Sequence, residues 1–140
     1  KILELETKFG IKKINTYIEF SNKTKLLKKS LIETIRELKN KNYKIFGYGS
    51  PAKGNVLLNY CNLDNSVIDF LTDITPLKQN KYSPGMHIVI KSSSLVKNLT
   101  NEYVGLMLAW NYKNEILEKE KKFRRSGGKF LIPIPKPTIV

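Results

Sequence analysis

The stretch "KIFGYGSPAKGNVLLNYC", Lys44 to Cys61, decides how the rest of the chain is read. An apolar strand-like run, Lys44–Tyr48, opens into Gly47-Tyr48-Gly49-Ser50-Pro51-Ala52-Lys53-Gly54. A helical pattern follows over Asn55–Tyr60, with Val56, Leu57 and Tyr60 placed inward. A buried strand that passes through glycines into a helix is the layout of a phosphate-holding turn. The amides of Ser50, Ala52 and Lys53 would stand at the helix N-terminus, where unpaired donors and the helix dipole favour an anion. Pro51 suits the first helical turn, where a missing N–H costs nothing. Gly47 and Gly49 permit close approach of a ligand, and Lys53 adds a mobile charge.

The loop departs from the two best-known fingerprints of this kind. A Walker loop needs Lys and then Ser or Thr after its last glycine, whereas Gly54 is followed by Asn55 and Val56. A dinucleotide loop, Gly-x-Gly-x-x-Gly, would place its third glycine at Ala52. Alanine is tolerated there in some dinucleotide sites, so an NAD-type domain stays open. So does a plain strand-to-helix turn that holds nothing.

Outward from this loop the chain alternates strand and helix. Residues Asn15–Lys41 form a long amphipathic pattern through Ile18, Leu26, Leu27, Leu31, Ile35 and Leu38. Apolar runs predict strands at Val67–Asp73, Met86–Ile90, Glu102–Trp110 and Lys129–Pro135. Ser92, Ser93 or Ser94 offers an N-cap for a short helix through Lys97. Tyr112–Arg125 reads as a helix with Ile116, Leu117 and Phe123 inward, ended by Gly127-Gly128. Continuous apolar strands between helices predict an α/β domain: a Rossmann-like open, mostly parallel sheet flanked by helices and preceded by a long N-terminal helix.

The 140 residues suit one domain, with a helical lead-in over 1–42 and an α/β core over 43–135. The opening "KILELETKFGIKKINTY" has no initiator Met and begins within a charged helical pattern, so the chain reads as a piece of something longer. Cys61 is the only cysteine, which rules out an internal disulfide and suits a reducing compartment. With no apolar run near the ~20 residues of a membrane span, and no signal-peptide pattern, a cytoplasmic protein is expected. The net charge of +13 raises the alternative of a non-enzymatic basic module that binds nucleic acid. Only three of the 25 basic residues are Arg, however, and the Lys are spread along the chain. Solvated surface lysines, or a small anionic ligand, account for the charge as well.

Ligands of open α/β sheets bind beyond the carboxyl ends of the strands. After the first strand come Gly47–Gly54, and after the second come Thr72, Asp73, Lys78 and Gln79. Trp110 and Asn111 follow the fourth, and Pro133 and Pro135 the last. Asp73 stands where an NAD site carries its ribose-binding acid, or it caps its own turn. Trp110 either stacks on a base or closes the edge of the core. His87 is the only histidine, and one Cys with one His cannot build a closed metal site. No nucleophile–base arrangement is present, so no catalytic residue is assigned.

Four segments together, "GYGSPAKGNVLLNYC", "DITPLKQNKYSPGMHIVI", "LAWNYKNEI" and "GGKFLIPIP", resemble the C-terminal domain of sugar-nucleotide C-methyltransferases. The similarity runs from the long helix to Pro135. The resemblance implies S-adenosylmethionine as methyl donor, bound by a central domain absent from this chain, and zinc in an absent N-terminal domain. It implies a nucleotide-linked keto-deoxysugar as substrate, and those missing domains of the same polypeptide as partners. The isolated chain would then be inactive. Carried over by motif, the substrate-binding candidates are Tyr48, Gly49, Ser50, Pro51, Ala52, Lys53, Gly54, Asn55, Asn59, Asp73, Lys78, Gln79, His87, Trp110 and Asn111. The sequence departs from the family's pattern at Ser50 for Ala, Val56 for Thr, Asn80 for Gly and Met86 for Thr. Asn80 can still adopt the left-handed backbone a glycine would supply.

Overall fold

Residues that alternate between two buried faces make the sheet. In the computed structural model, which describes all 140 residues, β1 (Lys44–Tyr48), β2 (Leu71–Asp73), β3 (Ile90–Ser92), β4 (Tyr103–Met107) and β5 (Lys129–Ile132) are parallel. A two-residue β6 (Thr138–Ile139) pairs antiparallel with β5, giving the order β3-β2-β1-β4-β5-β6. Ile45, Val104, Leu106 and Leu131 point to one face, where they meet Leu31, Ile35 and Leu38 of α2 (Ile14–Asn40) and Leu57, Leu58 and Cys61 of α3 (Ala52–Cys61). Phe46, Tyr48, Met107, Phe130 and Ile132 point to the other, against Ile116 of α4 (Lys113–Lys119) and Phe123 of α5 (Lys121–Arg125). Burial on both faces is why these strands read as continuous apolar runs.

The second face is aromatic. The Phe46 ring lies 5.7 to 6.4 Å from those of Phe70, Tyr103, Phe123 and Phe130, mostly edge to face. Such pairs add about 0.5–1.5 kcal/mol each beyond their buried area.

Several boundaries differ from expectation. The third strand begins at Ile90, because Met86 and His87 belong to a tight turn that the His87 amide closes on the Ser83 carbonyl. The second is confined to Leu71–Asp73, while the Asp69 amide still bonds to Ile45 O. The fourth ends at Met107, so Trp110 and Asn111 lie in a 3-10 turn instead of a strand. The fifth ends at Ile132, before Pro133. The helix after β4 breaks at Glu120, which turns inward. Helix α3 starts at Ala52, earlier than the pattern suggested, with Val56 (69%) and Tyr60 (44%) exposed instead of inward. Ile18 and Leu26 of α2 are exposed as well. A separate helix α1 (Ile2–Phe9) precedes α2, and Gly10 in the left-handed conformation ends it. Asn80 does take the left-handed backbone, at φ 61°.

Candidate functional site

The chain crosses the sheet's carboxyl edge at the end of β1, and the loop there is held open by glycine. Gly49 has φ +83°, a left-handed value that turns the strand away from its own direction. Pro51 then caps α3 in an extended conformation. Gly54 performs the close-packing task that a dinucleotide loop gives to its third glycine: a Cβ there would lie 2.8 Å from the Leu108 Cβ. The close approach of helix to sheet is thus retained, moved two positions along the chain.

Asp73 organises the loop from below. It is only 8% exposed, and its Oδ2 accepts from the Ser50 amide at 3.0 Å and from Lys78 Nζ at 3.2 Å. Its Oδ1 accepts from the Thr75 amide at 2.9 Å, and its backbone oxygen accepts from Gln79 Nε2 at 3.1 Å. Lys78 Nζ also donates to the Ser50 carbonyl at 3.0 Å. Burial by itself would raise the Asp73 pKa, but the hydrogen bonds from Thr75, Ser50 and Lys78 outweigh it and hold the carboxyl below its ordinary range. The Ser50 amide is therefore committed to Asp73 and does not face an incoming anion. The free donors of the helix end are the amides of Ala52, Lys53 and Gly54, which have no hydrogen-bond partner.

A cleft of about 330 Å³ opens at this edge. Its walls are Tyr48–Pro51, Thr72–Ile74 and Lys78 on one side, with Ser93, Ala109, Tyr112, Glu115, Ile116 and Lys119 opposite. The Tyr48 hydroxyl donates to Glu120 Oε1 at 2.7 Å inside the core, and burial together with that bond pushes the phenol well above its usual pKa. Asp73 and Lys78 satisfy each other, which leaves the exposed Glu115 and Lys119 with the Tyr112 and Ser93 hydroxyls to meet a ligand.

The structure brings Tyr48, Gly49, Ser50, Pro51, Asp73 and Lys78 to this cleft and holds Gln79 behind it. It sends others elsewhere. Lys53 Nζ lies 4.7 Å from the Trp110 ring centroid and 5.9 Å from that of Tyr112. Lys53 and Trp110 line a separate apolar groove of about 410 Å³ with Leu27, Val56 and Tyr60. Asn59 donates to the carbonyls of Asn55 (2.8 Å) and Pro84 (3.1 Å), pinning the turn before β3 to the far end of α3. His87 is exposed in that same turn, at φ 51°, on the amino side of β3. Asn111 is exposed in the 3-10 turn after β4, and Ala52 and Gly54 belong to the first turn of α3. The Asn55 Oδ1 is buried without a hydrogen-bond partner.

Sequence reading missed the opposite wall. Tyr112, Glu115, Ile116 and Lys119 fall at i, i+3, i+4 and i+7, one face of a helix that starts at the carboxyl edge. That spacing was available to be read.

Two cofactor fits can be judged from these side chains. No three His, Cys, Asp or Glu residues gather to hold a metal ion. The acid that would grip an adenosine ribose, in NAD or in S-adenosylmethionine, is Asp73; its carboxylate already holds three donors, and a ribose would have to displace Lys78.

The fold is that of a doubly wound α/β domain whose cleft opens at the carboxyl edge of the sheet. The particular family is given by comparison: residues 1–135 match the C-methyltransferase C-terminal domain family, and the chain belongs to it. It is also 38% identical over 140 residues to the C-methyltransferase NovU of Streptomyces niveus. The alignment covers 100% of this chain and 33% of that protein, so the chain spans about a third of the relative's length. No helix is long and apolar enough to cross a membrane.

Proposed function

We propose that this domain holds the acceptor of a C-methyltransferase, a keto-deoxysugar linked to a nucleoside diphosphate, while chemistry is carried out by the preceding part of the same polypeptide in the cytoplasm. The observation that carries this reading is the cleft at the carboxyl edge, lined by Tyr112, Ser93, Glu115 and Lys119, in a domain of the C-methyltransferase C-terminal family. A cavity of about 330 Å³ is at the small end of ligand sites, ~300–1,000 Å³, and suits a hexose with its phosphates more than an entire nucleotide sugar. Hydroxyls and charges of both signs at Tyr112, Ser93, Glu115 and Lys119 match sugar hydroxyls, and the Lys119 ammonium favours the phosphates.

The reaction class is removal of a proton beside a ketone, followed by attack of the enolate carbon on a methyl group. S-adenosylmethionine, held in the preceding part, would supply that methyl in electrophilic form, and zinc belongs to that part as well. The residues of this chain bind and orient: they fix the sugar so that its carbon meets the methyl, and such positioning is worth several kcal/mol of barrier. With the methyl donor held in the preceding part, the domain alone should not methylate anything.

Steady-state kinetics of the full-length polypeptide test the reading. Ile74→Trp, an exposed position on the cleft wall, should raise KM for a nucleoside diphosphate keto-deoxysugar about tenfold or more, the loss of about 1.4 kcal/mol of binding. The dissociation constant for S-adenosylmethionine should stay unchanged. An unaltered KM, or a change in methyl-donor affinity instead, would remove the acceptor from this cleft.

A further inference from the structure

Exposed apolar side chains gather away from the cleft, on the first two helices. Helix α2 has 27 residues and is about 40 Å long, while the strands beneath it run about 17 Å. Only its C-terminal half meets the sheet, through Leu31, Ile35 and Leu38. It turns into β1 over three residues and so runs antiparallel to it, which makes its N-terminal half overshoot the carboxyl edge. The level of that edge is marked by Thr24, Leu27 and Lys28, which share a groove with Lys53, Trp110 and Ile134. Residues ahead of Thr24 stand clear of the sheet, beyond its carboxyl edge.

The buried stripe of α2 does not stop where the sheet stops. By helical geometry Leu27, Phe20 and Tyr17 continue the line of Leu38, Ile35 and Leu31. Phe20 is nevertheless 66% exposed and Tyr17 55%. Helix α1 adds Leu3 and Phe9, each 76% exposed, and buries no residue at all. The joint between the two helices is ordered: Thr16 Oγ1 donates to Gly10 O at 2.8 Å, and the Tyr17 hydroxyl to Ile11 O at 2.6 Å. Aromatic and branched side chains held in fixed array in water mark a surface that has a partner.

We propose that α1 and the N-terminal half of α2 form the docking surface for the part of the same polypeptide that precedes this domain. The occupant follows from chain length and order. The chain covers 33% of the C-methyltransferase it matches and belongs to a C-terminal-domain family, so the remainder lies ahead of it, and α1 is the first element that remainder reaches. Lys12, Lys13, Lys23 and Lys25 border the apolar face, which fits a partner with an acidic rim.

Hydroxyl-radical footprinting of the full-length polypeptide tests this, with Tyr82 as the internal reference. Tyr82 is 65% exposed on the far edge of the sheet, close to the values for Phe20 and Tyr17. Tyr17 and Phe20 should be oxidised about fivefold or more slowly than Tyr82, as buried rings are. That protection should persist on dilution, and Phe20→Glu should restore oxidation of Tyr17 while leaving Tyr82 unaltered. Equal oxidation of all three would overturn the proposal. Protection that fades on dilution would assign the face to a second copy of the chain and overturn it too. Either result is independent of which acceptor the cleft takes.

Discussion

Lys78 ties Asp73 to the glycine loop: its Nζ sits 3.2 Å from Asp73 Oδ2 and 3.0 Å from the carbonyl oxygen of Ser50. With the Ser50 amide on the same carboxylate oxygen, the ends of β1 and β2 are fastened together by one acid and one base.

Asp73→Asn should loosen that fastening. A buried carboxylate with three donors contributes about 2 kcal/mol through its charged hydrogen bonds, with the contribution of the half-exposed Lys78 at the low end. The urea midpoint should fall accordingly. The pH dependence has a definite sign. The carboxyl is a stronger acid folded than unfolded, where its pKa is 3.8, so its contribution is complete above that value. It is lost as pH falls through the lower, folded pKa. Asp73→Asn should therefore flatten the acid limb of the stability curve below about pH 4.

Gly54→Ala offers a sharper test of the helix–sheet contact. Alanine gains roughly 1 kcal/mol of helix propensity over glycine. The new Cβ would nonetheless sit 2.8 Å from that of Leu108, at the core edge where neither side chain can swing away. Overpacking of this kind costs about 1–3 kcal/mol, and calorimetry should show a net loss. A gain in melting temperature would mean that α3 can lift from the sheet without strain.

Tyr48→Phe removes the donor from a buried glutamate. The Glu120 oxygen would keep its burial and lose its partner, at about 1–3 kcal/mol. Combining it with Glu120→Leu should cost less than the sum of the two single changes in a double-mutant cycle. In an alkaline absorbance titration the wild-type protein should show a late tyrosine step, because the Tyr48 phenol is raised far above 10. A phenol raised by folding stabilises the fold below pH 10 and loses that contribution as pH climbs through the folded value. Tyr48→Phe should abolish the late step.

Lys53→Met should lower stability by no more than about 2 kcal/mol and alter fluorescence. Trp110 is the sole tryptophan, and the ammonium 4.7 Å above its ring is worth about 0.5–2 kcal/mol at this half-buried site. The emission of Trp110 should change in intensity, while KM for the acceptor moves far less than in Ile74→Trp.

The strands that run through the middle of the sheet were readable because both their faces are covered. β1 matched its expected limits, and β4 and β5 kept their starts within a residue, since Ile45, Phe46, Val104, Leu106, Phe130 and Leu131 have no polar alternation to confuse. "MHIVI" misled because hydropathy alone cannot show that Met86 and His87 turn back on Ser83. β6 was invisible: two residues beside prolines carry no periodicity. In the site, the glycine loop and Asp73 were legible as residues that need special backbone or carry charge. Their roles were less so. Neither the commitment of the Ser50 amide to Asp73 nor the swing of Lys53 toward Trp110 follows from spacing; both depend on tertiary neighbours.

The shortest strand has a reach beyond its size. Val140 exchanges backbone hydrogen bonds with Phe130 at 2.8 and 2.9 Å, and β6 thereby covers the outer side of β5. At the opposite border the Asn80 and Ile90 amides tie residues 80–83 alongside β3 in the same manner. A parallel sheet of this kind would otherwise present two long rails of unpaired peptide groups, open to any extended chain that drifted past. Cutting the polypeptide short of Thr138 would uncover one rail while leaving the core whole, and such a protein would fold and then stick to itself.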